Sequence, residues 1–550
     1  NEDGTFYQPT SPTGARNPYK ELVLLEGNSN GQRLYLLGTV SGKLNIITTD
    51  HHNFSTTVSY SLDYNDFKSN NYRPADSGQS YWQILPLGQT GYGDSPYQSF
   101  STFAGNPYFI DPEALIEAGY IDKKTADQFD FGKEPRTVDY EKIYRNRYTL
   151  LRKAYANSPF CQNPTGKWAE DTFEDDRRAF EDFRWDNSEW LPDYALFSAV
   201  KEYFDGDMFT LWPEDIRLRR AAAMDSYRIK LDEEIRFYEF LQFLFAKQWK
   251  ELKEYANGKG IRIIGDIPIY VFHDSVDVWS NKKYFWMNKD YSLAKVAGVP
   301  PDAFSELGQR WGNPLYRWDV HKEEDYRWWI RRLAAAGRWY DVIRVDHFRG
   351  FEAYWSVPFT DTTARNGWWV KGPGMDFMNT VKRDLPWLKL IAEDLGFLTQ
   401  EVLDLRDESG FPGMKVLEFA FDSRDSTGAM EYLPYRYQPN CVVYTGTHDN
   451  ETLRGWIDSI LPAERAQVCE YLDVRTDDPQ EIVEKLIIAA FSSVADYCII
   501  PMQDYLGLDN SARINKPSTD SNNWKWRVKG EDLSPELAAR IRRLTELYGR

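Results

Sequence analysis

Acidic residues stand at the ends of several short apolar runs in this sequence. The run Val342–Val345 ends at Asp346, and Asp266, Glu393 and Asp449 follow runs of the same kind. Runs of β-branched and other apolar residues are typical of strands that are buried on both faces. A charge at the end of such a strand is costly unless it is paired or used in chemistry. One such end could be a structural ion pair, but four of them favour a shared site.

Two neighbouring carboxyl groups are the minimum for glycosyl chemistry through an oxocarbenium-like transition state. One attacks the anomeric carbon or activates water, and the other protonates the leaving oxygen. Arg344 lies two residues before Asp346, so both side chains point to the same face of a strand, and the cation would keep Asp346 ionised. His347 and His448 are neutral donors suited to sugar hydroxyls. Carboxylates also bind hard cations, but these histidines and Arg344 oppose a cation, so we predict no metal.

The order of strands and helices indicates an α/β fold. Short strands with a carboxylate at their ends alternate with helix signals, which is typical of a (β/α)8 TIM barrel with its site at the carboxyl ends of the strands. A doubly wound sheet is the competing fold, but no GxGxxG follows any of these strands. Residues 112–260 predict a mainly helical insertion. Its expected helices are Asp139–Ala156, Phe173–Trp185 and Leu231–Asn257.

Two long segments predict loops beside the site. The first follows a strand at Trp82–Leu85, is rich in Gly, Pro and Tyr, and carries Ser95 and Tyr97. The second is Val296–Tyr316. Loops of this length in compact domains are usually functional, and polar and aromatic side chains are common ligand contacts.

The composition indicates the compartment in which the protein works and the classes of partner that it does not bind. The chain has 550 residues, and its content of hydrophobic (42%) and charged (27%) residues is typical of soluble globular proteins. A net charge of −18 argues against a nucleic-acid partner, because binding phosphates needs clustered Lys and Arg. The four cysteines form no CxxC pair, which favours a reducing compartment without disulfides or zinc. No signal-peptide pattern or membrane-length apolar run is visible, so we expect a cytoplasmic protein without a membrane partner.

Residues 1–77 differ in texture from the rest of the chain. Arg33–Val40 and Lys43–Thr49 predict a β-hairpin around Ser41-Gly42, within Asn-, Ser- and Asp-rich connections. His51 and His52 are interpreted as a solvated turn. We therefore divide the chain into an atypical β-rich segment, 1–77, and a barrel, 78–550.

Seven motifs give the region from Gly78 onward a close resemblance to the 4-α-glucanotransferases of glycoside hydrolase family 77, the amylomaltases or disproportionating enzymes of the α-amylase clan. They occur in the family's order over most of the chain, so their joint specificity is high. The motifs are GQSYWQILPLG–TGYGDSPYQSF–AGNP, GDIPIYV, VAGVPPDAFS–GQRWGNPLY, VIRVDHFRGF, IAEDLG, GTHDNET, and ARINKPS–NWKWR.

The resemblance implies a retaining transfer of maltooligosaccharide units, in starch, maltodextrin or glycogen metabolism. It implies that Asp346 is the nucleophile, that Glu393 is the general acid/base, and that Asp449 binds sugar hydroxyls and stabilises the transition state. Residues 300–310 match a flexible lid. Positions that match the surroundings of the reacting sugar are Arg344, His448, Asp266, Tyr97, Gln309 and Trp311, and Arg513, Asn515 and Pro517 match a C-terminal motif near the same face.

One departure concerns the start of the barrel. The family opens with a first strand in a GILLHPTSLPS-like segment, which only Phe6–Gly14 faintly resembles here, and residues 15–77 do not match. Either a divergent segment supplies the first strand, or this region is a substituted β-rich piece. We expect α-1,4-glucan donor and acceptor, no cofactor, and a monomer or homodimer. The alternatives are an α-1,4-glucan hydrolase of the α-amylase clan and an inactive glucan-binding protein.

Overall fold

The computed structural model describes the backbone of residues 22–28, 31–37, 44–45 and 55–57, together with residues 77–550 except 165, 302–304, 397, 425–427 and 520. The chain divides into two compact units, Asn1–Asn53 and Phe54–Arg550. Strands are numbered in chain order: β1 Leu22–Asn28, β2 Gly31–Leu37, β3 Leu44–Asn45, β4 Ser55–Thr57, β5 Tyr81–Gln83, β6 Arg262–Pro268, β7 Lys295–Val299, β8 Gln309–Pro314, β9 Val342–Asp346, β10 Ala353–Pro358, β11 Trp368–Lys371, β12 Leu390–Ala392, β13 Gly413–Val416, β14 Cys441–Tyr444 and β15 Tyr497–Pro501.

The first unit contains a small antiparallel sheet in the order β1-β2-β3. β2 and β3 form part of the expected hairpin, with Tyr35 opposite Asn45 and Leu36 opposite Leu44. β1 was not predicted. His51, His52 and Phe6–Gly14 lie outside the described residues.

The second unit is built on eight parallel strands in the order β12-β9-β6-β5-β4-β15-β14-β13. This order follows the chain around a circle, as in the predicted (β/α)8 barrel. Among the described residues the ladder stops between β12 and β13, where the Ala392 N–H donates to the Pro412 carbonyl (2.9 Å). β4 lies within residues 1–77 and occupies the position between β15 and β5.

The interior of the barrel is filled by apolar side chains from seven of its strands. β-Branched and aromatic residues dominate, as expected for strands that are covered on both faces. The set is Tyr81, Ile264, Val342, Ile391, Met414, Val416, Val442, Tyr444 and Ile499.

Helices surround the barrel strands and make up most of residues 112–260. The longest, Asp232–Gly258, begins with three acidic residues and buries an apolar stripe that includes Phe237, Leu241 and Phe245. Its Gln242 side chain bonds the Gly105 N–H (2.8 Å) and carbonyl (2.9 Å), which anchors the segment after β5. The α-helices are Pro112–Glu117, Lys123–Ala126, Tyr140–Ala156, Glu174–Asp186, Leu191–Tyr203, Glu214–Arg217, Ala221–Lys230, Asp232–Gly258, Val276–Ser280, Trp318–Glu323, Arg327–Trp339, Gly374–Asp384, Gln400–Ser409, Leu453–Ser459, Pro462–Tyr471, Pro479–Phe491, Met502–Tyr505 and Pro535–Leu547.

A second sheet, antiparallel and in the order β11-β10-β7-β8, lies in the same unit. The prediction that Val296–Tyr316 is a loop throughout is therefore wrong. The segment begins within β7, and β8 lies near its other end. The two strands approach each other closely at Gly298, where a Cβ would lie 2.3 Å from the Gln309 carbonyl oxygen. Only glycine, which has no side chain, permits this approach, and glycine in a sequence usually indicates a loop.

Candidate active site

The four predicted carboxylates lie at or just after the carboxyl ends of four barrel strands. Asp266 is in β6, Asp346 ends β9, Glu393 follows β12 and Asp449 lies in the segment after β14. Parallel strands of a barrel deliver their carboxyl ends to one face. Side-chain and backbone contacts link the four groups to one another, so they form one site.

Arg344 joins two of these carboxylates. Its guanidinium lies 2.6 Å from Asp266 Oδ2 and 3.1 Å from Asp346 Oδ1. Strand register explains the shared contact, because Arg344 stands opposite Asp266 in the ladder between β9 and β6. The expected contact with Asp346 is therefore present, but the shorter one is to Asp266. Arg344 and Asp266 are almost fully buried, whereas the Asp346 side chain keeps 30% exposure, as a group that meets a substrate must.

Opposing effects act on the pKa of Asp346. Burial raises the pKa, Arg344 lowers it, and the charges of Asp266, Glu393 and Asp449 raise it again, with a large net rise. The site therefore has more negative charge than Arg344 neutralises. A proton is retained among the carboxyl groups to a higher pH than an isolated aspartate would retain it.

Glu393 is held by the backbone on both sides. It accepts the His347 N–H (2.6 Å) and the Leu395 N–H (2.9 Å). His347 has a φ of 54°, a left-handed conformation that is uncommon outside glycine, and this turn directs its N–H at Glu393. Burial raises the pKa of Glu393, while Arg344 and the two N–H donors lower it; the net direction is upward. A carboxyl group with a raised pKa can act as a general acid.

A chain of contacts links Asp266 to Asp449. The Tyr97 hydroxyl donates to Asp266 Oδ2 (2.8 Å) and lies 3.0 Å from His448 Nε2. Because the hydroxyl proton is used on Asp266, His448 Nε2 carries the proton of the second bond. Burial lowers the pKa of His448, which keeps this ring neutral. His448 Nε2 also lies 3.4 Å from Asp449 Oδ1.

Asp449 is positioned by the C-terminal motif. Asn515 Nδ2 donates to its Oδ1 (2.6 Å), and Arg513 donates to its backbone carbonyl (2.7 Å) and to the Asn515 carbonyl (2.8 Å). About half of the Asp449 side chain is exposed. The predicted substrate contact at Asn515 is thus beside Asp449, and the carboxylate is oriented while remaining open to solvent.

Comparison with known proteins identifies the family of this site. Residues 63–534 match the family model for glycoside hydrolase family 77, described as 4-α-glucanotransferase. The chain belongs to the 4-α-glucanotransferase family. It is therefore an enzyme, a transferase that acts on glucans.

Similar proteins cover nearly the whole barrel. A 4-α-glucanotransferase of Clostridium butyricum is 47% identical, over 86% of this chain and 94% of its own length, and that of Thermus thermophilus is 44% identical, over 86% and 92%. The solved amylomaltase from Streptococcus agalactiae in complex with acarbose has a TM-score of 0.84 at 38% identity, over 91% of this chain and all of its own. These likenesses support the predicted fold class.

Gln309 and Trp311, both in β8, lie beside His347, which directly follows β9. The Trp311 ring contacts the His347 ring edge-on at 4.8 Å, and Trp311 Nε1 donates to Gln309 Oε1 (3.1 Å). Burial lowers the pKa of His347 to about 3, and its Nε2 is buried without a hydrogen-bond partner. The predicted contact of His347 with substrate stays a prediction.

The remaining predicted residue, Ser95, contacts its own loop. Its Oγ accepts the Tyr97 N–H (3.3 Å) and so supports the tyrosine that reaches Asp266. Its predicted contact with substrate stays a prediction.

Two residues near the site were not singled out from the sequence. Trp524 lies in the motif NWKWR and packs against the Tyr97 ring (5.9 Å) and the His448 ring (5.8 Å). Glu418 follows β13 and is buried below the segment that carries Asp449. The sequence carried a weak signal for Glu418, since it is an acid that follows the short apolar pair Val416 and Leu417.

Within the described part of the chain, no cluster of three or more His, Cys, Asp and Glu side chains could hold a metal ion. No helix of that part is long and apolar enough to cross a membrane.

Proposed function

We propose that this enzyme transfers maltooligosaccharide segments between α-1,4-glucans by a retaining double displacement. The observation that carries the proposal is the Asp346–Arg344–Asp266 contact, which gives one partly exposed carboxylate a buried cation 3.1 Å away. The similar amylomaltase solved with acarbose supports an α-glucan as donor and acceptor.

In the first step Asp346 attacks the anomeric carbon of the donor, and its C1–O4 bond breaks. Glu393 gives its proton to the leaving oxygen, so the released segment departs as an alcohol and a glycosyl–Asp346 ester remains. Arg344 favours the ionised state of Asp346 before the attack. His448, Asp449 and Asn515 are suited to bind hydroxyls of the reacting sugar.

In the second step the 4-hydroxyl of an acceptor glucan attacks C1. Glu393, now ionised, removes the hydroxyl proton, and the bond to Asp346 breaks. Two inversions return the α configuration. Both protons are accounted for, because Glu393 ends the cycle as it began.

The test is product analysis on pure maltotriose. We expect glucose and longer oligomers from the native enzyme. Asp346→Asn is expected to lower turnover by several orders of magnitude, since an amide cannot form the glycosyl ester. Its far-UV circular dichroism spectrum should stay native. Only glucose and maltose would indicate a hydrolase, and binding without turnover a glucan-binding protein.

Glu393→Gln separates the two carboxyl roles. With α-glucosyl fluoride as donor the first step should survive in large part, because fluoride leaves with little protonation; with maltotriose it should be lost. An equal loss on both donors would contradict the role of Glu393.

We also infer a reducing compartment, the cytoplasm, from the cysteines. Cys161, Cys441, Cys469 and Cys498 are all free thiols, and three of them are buried. Fractionation of the cells that make the protein tests this inference.

A further inference from the structure

Two carboxyl groups that the mechanism does not use are buried below the active site. Glu418 is 4% exposed and Asp504 is 2% exposed. Asp504 is well bonded, since it accepts the Thr445 hydroxyl (2.6 Å) and the Leu453 N–H (2.8 Å). Glu418 differs, because its Oε1 is buried without a hydrogen-bond partner. A Cβ on Gly446 would lie only 2.9 Å from that oxygen, so the carboxyl group fits closely against the backbone.

Glu418 contacts the turn Thr447–Asn450, which carries His448 and Asp449. The Asn450 side chain lies beside the Glu418 carboxyl group: a Cβ on Gly446 would lie 2.9 Å from Glu418 Oε1 and 3.3 Å from Asn450 Cβ. Asn450 Oδ1 in turn accepts the Thr447 N–H (3.0 Å) and hydroxyl (2.8 Å), and the Thr447 hydroxyl oxygen accepts the Asp449 N–H (3.3 Å). Hydrogen bonds therefore join Asn450, the neighbour of Glu418, to the backbone of Asp449.

The charges that face Glu418 come from three neighbouring segments. Burial raises its pKa far above the usual value, and the charges of Asp504 and Glu451 add to the rise, while Asn450 and Arg513 lower it. Burial also raises the pKa of Asp504, to about 6. The cation that acts on Glu418 is Arg513, which already donates hydrogen bonds to the carbonyls of Asp449 and Asn515.

We propose that Glu418 is a positioning residue for the transfer reaction: it supports the turn Thr447–Asn450 as an uncharged carboxylic acid. A charge on Glu418 would be repelled by Asp504 and Glu451 and would attract Arg513 away from the Asp449 and Asn515 carbonyls. Losing the proton would therefore displace Asp449 from the reacting sugar. The proposal rests on the role assigned above to Asp449.

The first measurement is turnover of maltotriose at pH 7 by the full chain. Glu418→Gln keeps the shape of the side chain and is uncharged, so kcat should stay within about twofold of the native value. Glu418→Ala removes the contact with Asn450, so kcat should fall about tenfold or more. The change in KM should be smaller, because Asp449 acts in the transition state. A loss in Glu418→Gln as large as that in Glu418→Ala would overturn the proposal.

The second measurement is Tm against pH, which does not depend on activity. A glutamate whose pKa is raised by folding stabilises the folded state fully below its unfolded pKa, and this contribution is lost as pH rises toward the folded pKa. Glu418→Gln has no carboxyl group to ionise and does not lose this stability. The difference in Tm, variant minus native, should therefore grow as the pH rises above about 4.5. The control Glu117→Gln, at an exposed glutamate, should give a constant difference.

A constant difference for Glu418→Gln over that pH range would also overturn the proposal, even if Glu418→Ala does not fold. Failure of the proposed function is distinguishable, because a native protein without transfer activity would still give the Tm result.

Discussion

Arg344 serves two carboxylates, so its effect on the reaction should be visible in the pH profile. The ladder between β6 and β9 sets it opposite Asp266, and the next residue on the same face is Asp346. Since Arg344 lowers the pKa of Asp346, the cation widens the pH range in which this proposed nucleophile is ionised. Arg344 opposes the rise in the pKa of both Asp346 and Glu393, so the dependence of the rate on pH should be sensitive to its charge.

Arg344→Gln should move the acid limb of kcat/KM to higher pH. Removing the cation raises the pKa of Asp346, so a higher pH is needed to ionise it, and kcat/KM at the optimum should fall on the order of a hundredfold. The measurement is the rate on maltotriose from pH 4 to 9. Arg383→Gln, at an exposed arginine that pairs with Asp325 and Asp384, is the control and should leave the limb in place. An unmoved limb in Arg344→Gln would contradict the electrostatic role.

The segment that we propose as a lid, residues 300–310, is flanked by strands β7 and β8. Its base is the β7–β8 pair, and its far side bonds a neighbouring loop: the Ala364 N–H donates to the Leu307 carbonyl (3.0 Å) and Arg365 pairs with Glu306 (2.7 Å). Water is far more concentrated than any acceptor sugar, so transfer over hydrolysis requires positioning of the acceptor and exclusion of water. We propose that the segment 300–310 contributes to both.

Gly308→Ala should raise the ratio of hydrolysis to transfer. Gly308 has a φ of +66°, and an added Cβ would lie 2.5 Å from the Val299 carbonyl oxygen and 2.9 Å from the Ala364 Cβ, so the lid has to shift. Glucose and oligomers from maltotriose, separated by chromatography, give the ratio. Gly206→Ala is the control, since Gly206 has a φ of +85° and no atom within 4 Å of its Cβ. An equal ratio in both variants would assign the transfer preference to acceptor binding alone.

Local patterns of apolar residues in the sequence predicted most of the barrel strands. The contacts and strands that they did not predict depend on how one strand pairs with another. The β-branched run Val342–Val345 and its charged end are local, so β9 and Asp346 could be predicted. The shorter contact of Arg344 with Asp266 depends on how β6 pairs with β9, which no local pattern records. The two strands inside Val296–Tyr316 were missed because Gly and Pro mark loops, although here Gly298 permits a close strand pair.

At the scale of the whole molecule, we propose that β4 is the first strand of the barrel. It lies in the unit Phe54–Arg550 and pairs with β15 on one side and β5 on the other. Residues 15–77 do not match the family's usual opening sequence, so the segment is divergent, but the position of β4 in the sheet is that of a first strand. The domain boundary that we expected at residue 77 would then move to the start of this strand.

Thr56→Pro tests this placement. Proline removes a backbone N–H and is poorly tolerated in a strand with neighbours on both sides, so Tm should fall by several degrees and the unfolding transition should broaden. Thr56→Val keeps the N–H and a β-branched shape and should unfold like the native protein. Calorimetry of both variants decides between a barrel strand and a dispensable segment, since the latter would leave Tm unchanged in each.

The pairing of β4 with β15 has a consequence for how the protein is made. Thr57 stands opposite Pro501, 444 residues later in the chain. At about 5–20 residues per second, a ribosome needs about 20–90 s to supply that partner after β4 has emerged. During this interval β4 can pair with β5, but its other edge presents unpaired N–H and C=O groups to neighbouring nascent chains. Slow elongation should therefore lower the yield of active enzyme, and a chaperone that covers the open edge should restore it.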